Sequence, residues 1–453
     1  MTRDGRPRRL PSADYAAGPK LQACAALLTT AVAAWGVTHV MAALPNGGGE
    51  AAWPLAAILL WWLPLSWCER PIRARRDDQA RLDALRVTVQ IPVYNEDPEA
   101  LRACLRSVLA QSRPVTRVRV VDDGSDLPYD DVRTEFEQEA AARGIETTWD
   151  RTPNRGKRHA QMHALAGDDG DVFVTLDSDS VLDRHAVREG LAPFADLRVQ
   201  SVAGQVLVLN RADGVLARLS PLLYLPFTLG LRSATSALRQ VRLNSGALAF
   251  YRAGVVRRCA GAYGSERFRG RPMQMNDDSL LTLHALLAGR TVHQPSAMVF
   301  TLAPARLSHH VRQQVRWMRG TAVRHLWWLR YLPLTGAAFW TAVAELLHLL
   351  LVVAVPVALV AGPDHRAHLG AAAVATGQAA LAMNYAMALR LFTVRRSDES
   401  TRARLVLFAL APLAALWRLL VLRPLLAYAV LTCHRVGRWG TRAGVEVGLA
   451  ARN

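Results

Sequence analysis

Hydrophobic residues are concentrated in uncharged runs near the two ends of the chain, and the middle alternates short apolar runs with amphipathic ones. Leu21–Leu44 and Ala51–Trp67 contain no Asp, Glu, Lys or Arg, and a glycine-rich turn separates them. A helix rises about 1.5 Å per residue, so about 20 residues cross a bilayer core. The pattern therefore predicts a two-helix transmembrane hairpin. A cleaved signal peptide is the alternative, which we disfavour because a second span follows at once.

Three further apolar stretches lie towards the other end. Ala337–Ala361 and Leu369–Phe392 are each long enough to span a bilayer. The third, Leu405–Thr432, contains Arg418 and Arg423, which a simple span would bury at high cost. For it we predict a short membrane-inserted segment followed by an interfacial helix that returns the tail to the starting side.

Glu345 lies inside the first of these stretches. A carboxylate that faces lipid is costly, so Glu345 is expected to face protein or a water-filled path. A protonated or end-placed carboxyl without a role is the alternative, and the sequence favours neither.

Basic residues accumulate on one side of the predicted spans. Those before the first span, after the second and after the fourth are Arg3, Arg6, Arg8, Arg9, Lys20, Arg70, Arg73, Arg75, Arg76, Arg395, Arg396, Arg402 and Arg404. Cytoplasmic loops carry the excess of Lys and Arg in membrane proteins. We therefore expect an integral protein of the plasma (inner) membrane whose central domain is cytoplasmic.

Composition narrows the class of protein. The 453 residues include 55 Lys and Arg against 37 Asp and Glu, a net charge of +18, and 51% are hydrophobic. These values exclude a disordered chain and a disulfide scaffold, and leave a membrane protein with a polar domain or a basic nucleic-acid binder. No nucleic-acid partner is expected, because the aromatic residues cluster at predicted membrane edges instead of alternating with cations.

The middle of the chain predicts an α/β domain. Short β-type runs alternate with amphipathic helical runs, which is typical of a doubly wound sheet whose ligands bind beyond the carboxyl ends of the strands. The predicted strands are 87–93, 118–121, a run before Thr152, and 172–176; the predicted helices are 98–110, 129–143 and 157–166.

Acidic residues follow three of these strands. The turns are Tyr94–Asp97, Asp122–Ser125 and Asp177–Ser180. Each is compatible with an ordinary turn, since Asp, Asn, Gly and Ser are common there. Carboxylates that converge on one sheet edge repel one another, however, and a divalent cation relieves that repulsion.

Asp177 and Asp179 are the predicted metal ligands. Mg²⁺ or Mn²⁺ suits such oxygen ligands and leaves positions open for a diphosphate. The segment Asn154–Arg158 adds cations beside a predicted helix start, which favours an anion site. Solvated surface charge is the alternative for that segment.

Four further motifs follow in order along the chain. They are Asn244–Arg252, the acidic motif Asn276–Thr282, the QxxRW signature Gln313–Trp317, and the WGTR segment Trp439–Arg442. Together with the acidic turns they resemble the processive family-two glycosyltransferases, with a GT-A fold, of the hyaluronan synthase and chitin synthase branch. Asn276 departs from the pattern, because hyaluronan synthases usually have Gly there.

The resemblance implies inverting transfer of a sugar from a UDP-sugar, UDP-GlcNAc or UDP-GlcA, to a polysaccharide or oligosaccharide acceptor. Asp179 and Asp177 would hold the metal, and Lys157 or Arg158 would stabilise the leaving UDP. The remaining residues implied on the nucleotide side are Tyr94, Glu96, Asp122, and, from the tail, Trp439 and Arg442. A tail that merely anchors to lipid is the alternative for the last two.

The resemblance also assigns the acceptor side. It makes Asp278, rather than Asp277, the general base. The alternative for this pair is the N-cap of the following helix, and we predict that cap for Asp277. Trp317 would stack on the acceptor sugar, Arg316 would meet the diphosphate, and Gln313 belongs to the same signature.

The predicted organisation comprises six regions. They are a basic N-terminus (1–20), the transmembrane hairpin (21–68), the GT-A domain (77–305), amphipathic interfacial helices with QxxRW (306–335), transmembrane and interfacial helices (337–432), and a cytoplasmic tail (433–453). Membrane lipid is an expected partner, and the oligomeric state stays open. The alternative functions are a non-processive transferase making a short oligosaccharide or glycolipid, and a non-catalytic scaffold or transporter.

Overall fold

The computed structural model describes residues 11–44, 62–347, 350 and 368–435. The loop and first part of the predicted second span (45–61), the later part of the predicted span 337–361, and Trp439 and Arg442 lie outside the described residues. The predictions that fall on those residues stay predictions.

Short strands are distributed along the described chain. They are β1 Ala13–Tyr15, β2 Val87–Val93, β3 Arg117–Asp122, β4 Glu146–Arg151, β5 Val172–Thr175, β6 Ser180–Leu182, β7 Val199–Val208, β8 Ala249–Arg252, β9 Arg267–Phe268, β10 Arg271–Pro272, β11 Arg290–Thr301 and β12 Val394–Arg396. All four strands predicted from the sequence are confirmed to within two residues.

Helices alternate with the strands and flank them. They are α1 Pro19–Ala42, α2 Arg76–Asp83, α3 Pro98–Leu109, α4 Asp130–Ala141, α5 Lys157–Leu165, α6 Ala186–Leu191, α7 Val215–Leu225, α8 Arg232–Ala237, α9 Ala253–Ser265, α10 Asp277–Ala288, α11 Leu307–Val323, α12 Ala337–Leu347, α13 Leu369–Ala388, α14 Thr401–Ala409 and α15 Ala411–Leu431. The helix α11 carries the QxxRW signature, and we call it the signature helix. It continues through a π-helical turn, Arg324–Trp328, and a 3-10 turn, Leu329–Tyr331.

One eight-stranded mixed sheet forms the centre, in the order β4-β3-β2-β5-β8-β7-β11-β6. Strands β2 to β5 are parallel, and Val93 pairs with Asp122, which pairs with Arg151. The carboxyl ends of these strands therefore lie at one edge, where the acidic turns follow.

Apolar side chains pack on both faces of this sheet. Val172 and Val174 of β5 belong to the core with α3, α4 and α6, whereas Phe173 between them belongs to the core with α5, α9 and α10. Successive side chains of a strand point to opposite faces, and a strand covered on both faces is apolar throughout. The doubly wound mixed sheet predicted from the sequence is confirmed.

A segment near the N-terminus pairs with one after α13 in a two-stranded sheet. β1 pairs antiparallel with β12, and Ala13 and Val394 pack with Met298 and Phe300 of β11. The backbone N–H of Ala13 also donates to Asp183 Oδ2 at 3.0 Å. This pairing joins the segment before α1 and the segment after α13 to the edge of the central sheet.

Within the described ranges, two helices, α1 and α15, are long and apolar enough to cross a membrane, which is weak evidence for membrane insertion. α1 packs closely on α13: a Cβ added to Gly36 would lie 3.2 Å from Ala379 Cβ. His39 Nε2 and Gln378 Oε1 lie 2.6 Å apart on the same helices. Small residues of this kind let helices approach closely in membranes.

The stretch Leu405–Thr432, predicted as a short membrane-inserted segment followed by an interfacial helix, lies in α14 and α15. The chain breaks at Leu410, between α14 and α15, and one continuous helix then passes through both Arg418 and Arg423. Arg418 donates to Asn384 of α13 and to the carbonyl of Leu222, so its guanidinium contacts protein groups. The division into inserted and interfacial parts stays a prediction.

Glu345 faces protein near the end of α12. Its carboxylate accepts hydrogen bonds from Arg242 and lies 2.7 Å, Oε2 to Nε2, from His325. Of the two interpretations above, the structure favours a carboxylate that contacts other protein groups.

Candidate active site

The turns after β2 and β5 are joined by a direct hydrogen bond. Ser178 Oγ donates to Glu96 Oε2 at 2.7 Å, and both residues are buried. Tyr129 anchors the first turn, because its hydroxyl oxygen accepts from Glu96 N at 2.6 Å. Glu96 therefore lies beside the Asp177–Asp179 turn, and half-buried Tyr94 stands two residues before it in the chain.

The turn after β3 positions the start of α5. Asp122 Oδ1 accepts from Ser125 N at 2.8 Å, which closes the turn on itself. Asp123 Oδ1 and Oδ2 accept from the backbone N–H groups of Arg155 and Gly156 at 3.0 and 2.8 Å. Burial raises the pKa of Asp123 above its ordinary value. Asp123 was not among the predicted site residues, although it is adjacent to Asp122.

Lys157 connects two of the acidic motifs. Its Nζ lies 2.6 Å from Asp177 Oδ1 and 2.9 Å from Asp277 Oδ2. Burial would lower the pKa of Lys157, but the two carboxylates outweigh burial and raise it. Burial would likewise raise the pKa of Asp277, and Lys157 holds it below its ordinary value. Lys157 and Asp277 therefore both carry their charges.

Arg158 does not belong to this cluster, so of the two alternative cations predicted to stabilise the leaving UDP only Lys157 contacts the acidic motifs. The side chain is buried, and Nη1 lies 2.8 Å from Glu266 Oε2 and donates to the carbonyl of Tyr263. Nη2 donates to the carbonyl of Met275. Consecutive residues of a helix point about 100° apart, so only one of the two cations faces the acidic turns.

The prediction that Asp277 caps α10 is wrong. Asn276 holds the N-cap position with φ 63°, and Asp277 is the first helical residue, paired with Lys157. Asp278 follows with its side chain half-buried, and its Oδ1 accepts from Ser279 N at 2.6 Å. Burial and the neighbouring charge of Asp277 raise the pKa of Asp278 to about 6.

The signature helix α11 packs against the acidic motif through Asn276 and Gly320. Asn276 Nδ2 donates to the carbonyl of Gly320 at 2.9 Å, and a Cβ at position 320 would overlap the Asn276 carboxamide. The positive φ of Asn276 explains its departure from the usual glycine, since Gly and Asn are the residues that most readily adopt this conformation. Sequence reasoning missed Gly320.

The predicted acceptor residues lie together on α11. Trp317 is 44% exposed, Arg316 is half-buried, and Gln313 Oε1 accepts from the hydroxyl of Tyr224 at 3.3 Å. The Tyr224 and Trp317 rings meet edge to face with centroids 5.6 Å apart. Tyr224 was not among the predicted site residues.

Segment 244–252 packs on the same cluster. A Cβ at Gly246 would lie 2.8 Å from Lys157 Nζ and 3.2 Å from Asp177 Oδ2. The backbone N–H of Asn244 donates to Thr282 Oγ1 at 3.1 Å. Because Gly246 has no side chain, Lys157 and Asp177 can pair beside it without a steric clash.

The side chain of Asp179 lies beside Thr301, the last residue of β11. Its Oδ1 is 3.4 Å from Thr301 Oγ1 and 3.3 Å from Ser180 Oγ, and the side chain is half-buried. In the described parts of the chain, no three His, Cys, Asp or Glu side chains come close enough to hold a metal ion by themselves.

Comparisons with known proteins identify the family. Residues 85–320 match the family described as Glycosyltransferase like family 2. The hyaluronan synthase of Streptococcus pyogenes serotype M1 is 30% identical over 402 residues, which cover 87% of this chain and 90% of that protein. The chain belongs to glycosyltransferase family 2. An N-acetylglucosaminyltransferase of Rhizobium meliloti is 35% identical over 246 residues, 52% of this chain and 55% of that protein.

A solved structure shares the fold of this family-two chain. It is a mannosyltransferase of Pyrobaculum calidifontis in complex with GDP-Man and Mn²⁺, with a TM-score of 0.52 and 19% identity. The match covers 88% of this chain and 98% of the other. The predicted GT-A-like fold and the predicted enzyme class, a glycosyltransferase, are thus confirmed.

We expect Gly320→Ala to reduce the transfer rate roughly 10- to 100-fold, because the added methyl group displaces Asn276 and shifts α11 against the acidic motif. Gly261→Ala is the matched control, since it adds the same group to a helix where nothing lies within 4 Å. Transfer rates of both purified variants test this, with thermal unfolding curves to check folding. Equal rates for the two variants would contradict it.

Proposed function

We propose that this family-two enzyme is a membrane-embedded inverting glycosyltransferase that adds sugar from a UDP-sugar to a growing polysaccharide. The product would be hyaluronan- or chitin-like, made from UDP-GlcNAc, UDP-GlcA or both, and its synthesis would be coupled to export. The identities of the hyaluronan synthase and N-acetylglucosaminyltransferase relatives support a polysaccharide product.

The observation that carries the proposal is the position of Lys157 between Asp177 and Asp277. Asp177 belongs to the donor-side turn and Asp277 precedes the proposed base Asp278. Because both carboxylates contact the same ammonium group, the donor-side turn and the proposed base are close enough to act on the same sugar carbon. A diphosphate that enters the site would meet Lys157, which can stabilise the negative charge of the leaving UDP.

Asp177 and Asp179 are the residues that would hold a divalent ion. Mg²⁺ is usually bound through one or two carboxylates together with substrate phosphates, so two half-buried carboxylates in one turn fit Mg²⁺ or Mn²⁺. When bound, such an ion neutralises charge on the diphosphate. Tyr94, Glu96 and Asp122, at the ends of β2 and β3, would contact the nucleoside.

Asp278 is the proposed general base. Inverting transfer requires the acceptor hydroxyl to lose a proton as it attacks from the face opposite the leaving UDP. A carboxylate with a pKa raised to about 6 is a better proton acceptor than an ordinary aspartate and stays deprotonated at neutral pH.

The acceptor would lie along α11. The exposed part of the Trp317 indole can stack on a sugar ring, and Arg316 can form paired hydrogen bonds to phosphate oxygens. Gln313 supports this surface from one turn earlier. Trp439 and Arg442 would close over the nucleotide if the tail returns to the cytoplasmic face.

The apolar helices α1 and α15, which flank the catalytic domain, support insertion into the inner membrane. The distribution of arginines then supports a catalytic domain on the cytoplasmic side. UDP-sugars are available in the cytoplasm. Membrane lipid would be a partner of these helices.

Asp278→Asn and Asp179→Asn test the enzymatic roles. We expect each to lower transfer roughly 10²- to 10⁴-fold, because each removes a charge needed in the transition state while preserving shape. Asp130→Asn, at an exposed position in α4, is the control. UDP release is measured with UDP-GlcNAc and UDP-GlcA, singly and together, in Mg²⁺ or Mn²⁺.

The products of the same reactions separate the alternatives. High-molecular-weight product at early times supports processive synthesis, whereas a ladder of short products would favour the oligosaccharide transferase. Activity retained in both variants would remove the proposed mechanism.

The pH profile gives an independent test. Asp278 acts as a base only when deprotonated, so kcat/KM should be level above about pH 6 and fall as the pH drops through that value. Asp277→Asn removes the adjacent negative charge and lowers the pKa of Asp278, so the acid limb should move to lower pH. Asp130→Asn should leave it in place. If Asp277→Asn left the acid limb of the kcat/KM profile at the same pH, that result would count against Asp278 as the base.

A further inference from the structure

Tyr224 contacts two of the signature residues at once. Its hydroxyl donates to Gln313 Oε1 at 3.3 Å, and its ring meets the edge of the Trp317 indole with centroids 5.6 Å apart and planes inclined by 63°. Gln313 and Trp317 are one helical turn apart on α11, whereas Tyr224 lies near the end of α7. One side chain from a different element thus touches both.

The backbone at Tyr224 is restrained by a hydrogen bond and by the packing of the two residues before it. Thr228 Oγ1 donates to its carbonyl at 3.2 Å. Leu222 and Leu223, which precede it, pack in an apolar cluster with Leu407 and with alanines of α13 and α15. A residue anchored in this way can restrain a partly exposed partner such as Trp317.

We propose that Tyr224 is a positioning residue for the acceptor, which holds Gln313 and Trp317 so that the exposed indole surface faces the terminal sugar. This inference rests on the proposed function. The residue acts through its neighbours and takes no part in the chemical step. Because the donor-side groups lie around Lys157, Tyr224 should affect acceptor binding and product length more than donor binding.

Burial raises the pKa of Tyr224 to about 12, so its hydroxyl stays a protonated donor across the working pH range. The 3.3 Å separation is long for a hydrogen bond between hydroxyl and carbonyl oxygens. The ring contact should therefore contribute more than the hydrogen bond to holding Trp317 and Gln313 in place. Phe at position 224 keeps the ring contact and loses the hydrogen bond, whereas Leu loses both.

The test compares Tyr224→Phe and Tyr224→Leu, with Tyr385→Phe as the control. Tyr385 packs on Phe408 at 5.3 Å beside the same apolar cluster. We expect KM for a short N-acetylglucosamine oligomer to rise roughly 2- to 5-fold in Tyr224→Phe and roughly 10-fold in Tyr224→Leu. KM for the UDP-sugar should stay within about twofold, and products should shorten in the same order.

A double-mutant cycle separates positioning from a general packing role. In a Gln313→Ala background, Tyr224→Phe should have no further effect on acceptor KM, because the hydrogen bond is already absent. A full effect in that background, or equal changes in donor and acceptor KM, would overturn the proposal. Loss of the proposed function would look different: the unmodified enzyme would then form no product from UDP-sugars.

Discussion

The geometry of the candidate site depends on one ammonium group, Lys157, held between the half-buried carboxylate of Asp177 and the buried carboxylate of Asp277. Lys157 brings the turn after β5 and the start of α10 within about 3 Å of a common point. Buried charges are tolerated when they are paired, and removal of the cation would leave two carboxylates facing each other in a medium of low polarity. The proposed metal ligands Asp177 and Asp179 and the proposed base Asp278 lie on the two segments that this contact joins.

A second set of contacts orients the acceptor side on this centre. α11 is amphipathic, and Asn276 and Gly320 bring it against the segment that carries Asp278. Gly246 admits segment 244–252 to the same place because it has no side chain to displace Lys157. These two glycines have no side chain, and they therefore decide how closely the proposed donor-side and acceptor-side segments approach each other.

The acidic edge of the sheet was predictable because parallel strands place their carboxyl ends together, and the sequence shows acidic residues after three of them. The choice between Lys157 and Arg158 was not, because both cations stand at the start of one helix and only its rotation selects one. Asp277 resembles an ordinary cap in sequence, since Asp is common at that position. Its true partner is 120 residues earlier in the chain, at Lys157.

The sequence by itself determined the α/β class, the order of the motifs and the apolar helices, because these follow from local periodicity and from side-chain types at fixed spacing. Only the tertiary structure decided which charges pair, that β1 joins β12, and that Tyr224 touches both Gln313 and Trp317. These contacts join segments far apart in the chain. Their energies fall off over a few ångströms, so they depend on distances that no local pattern encodes.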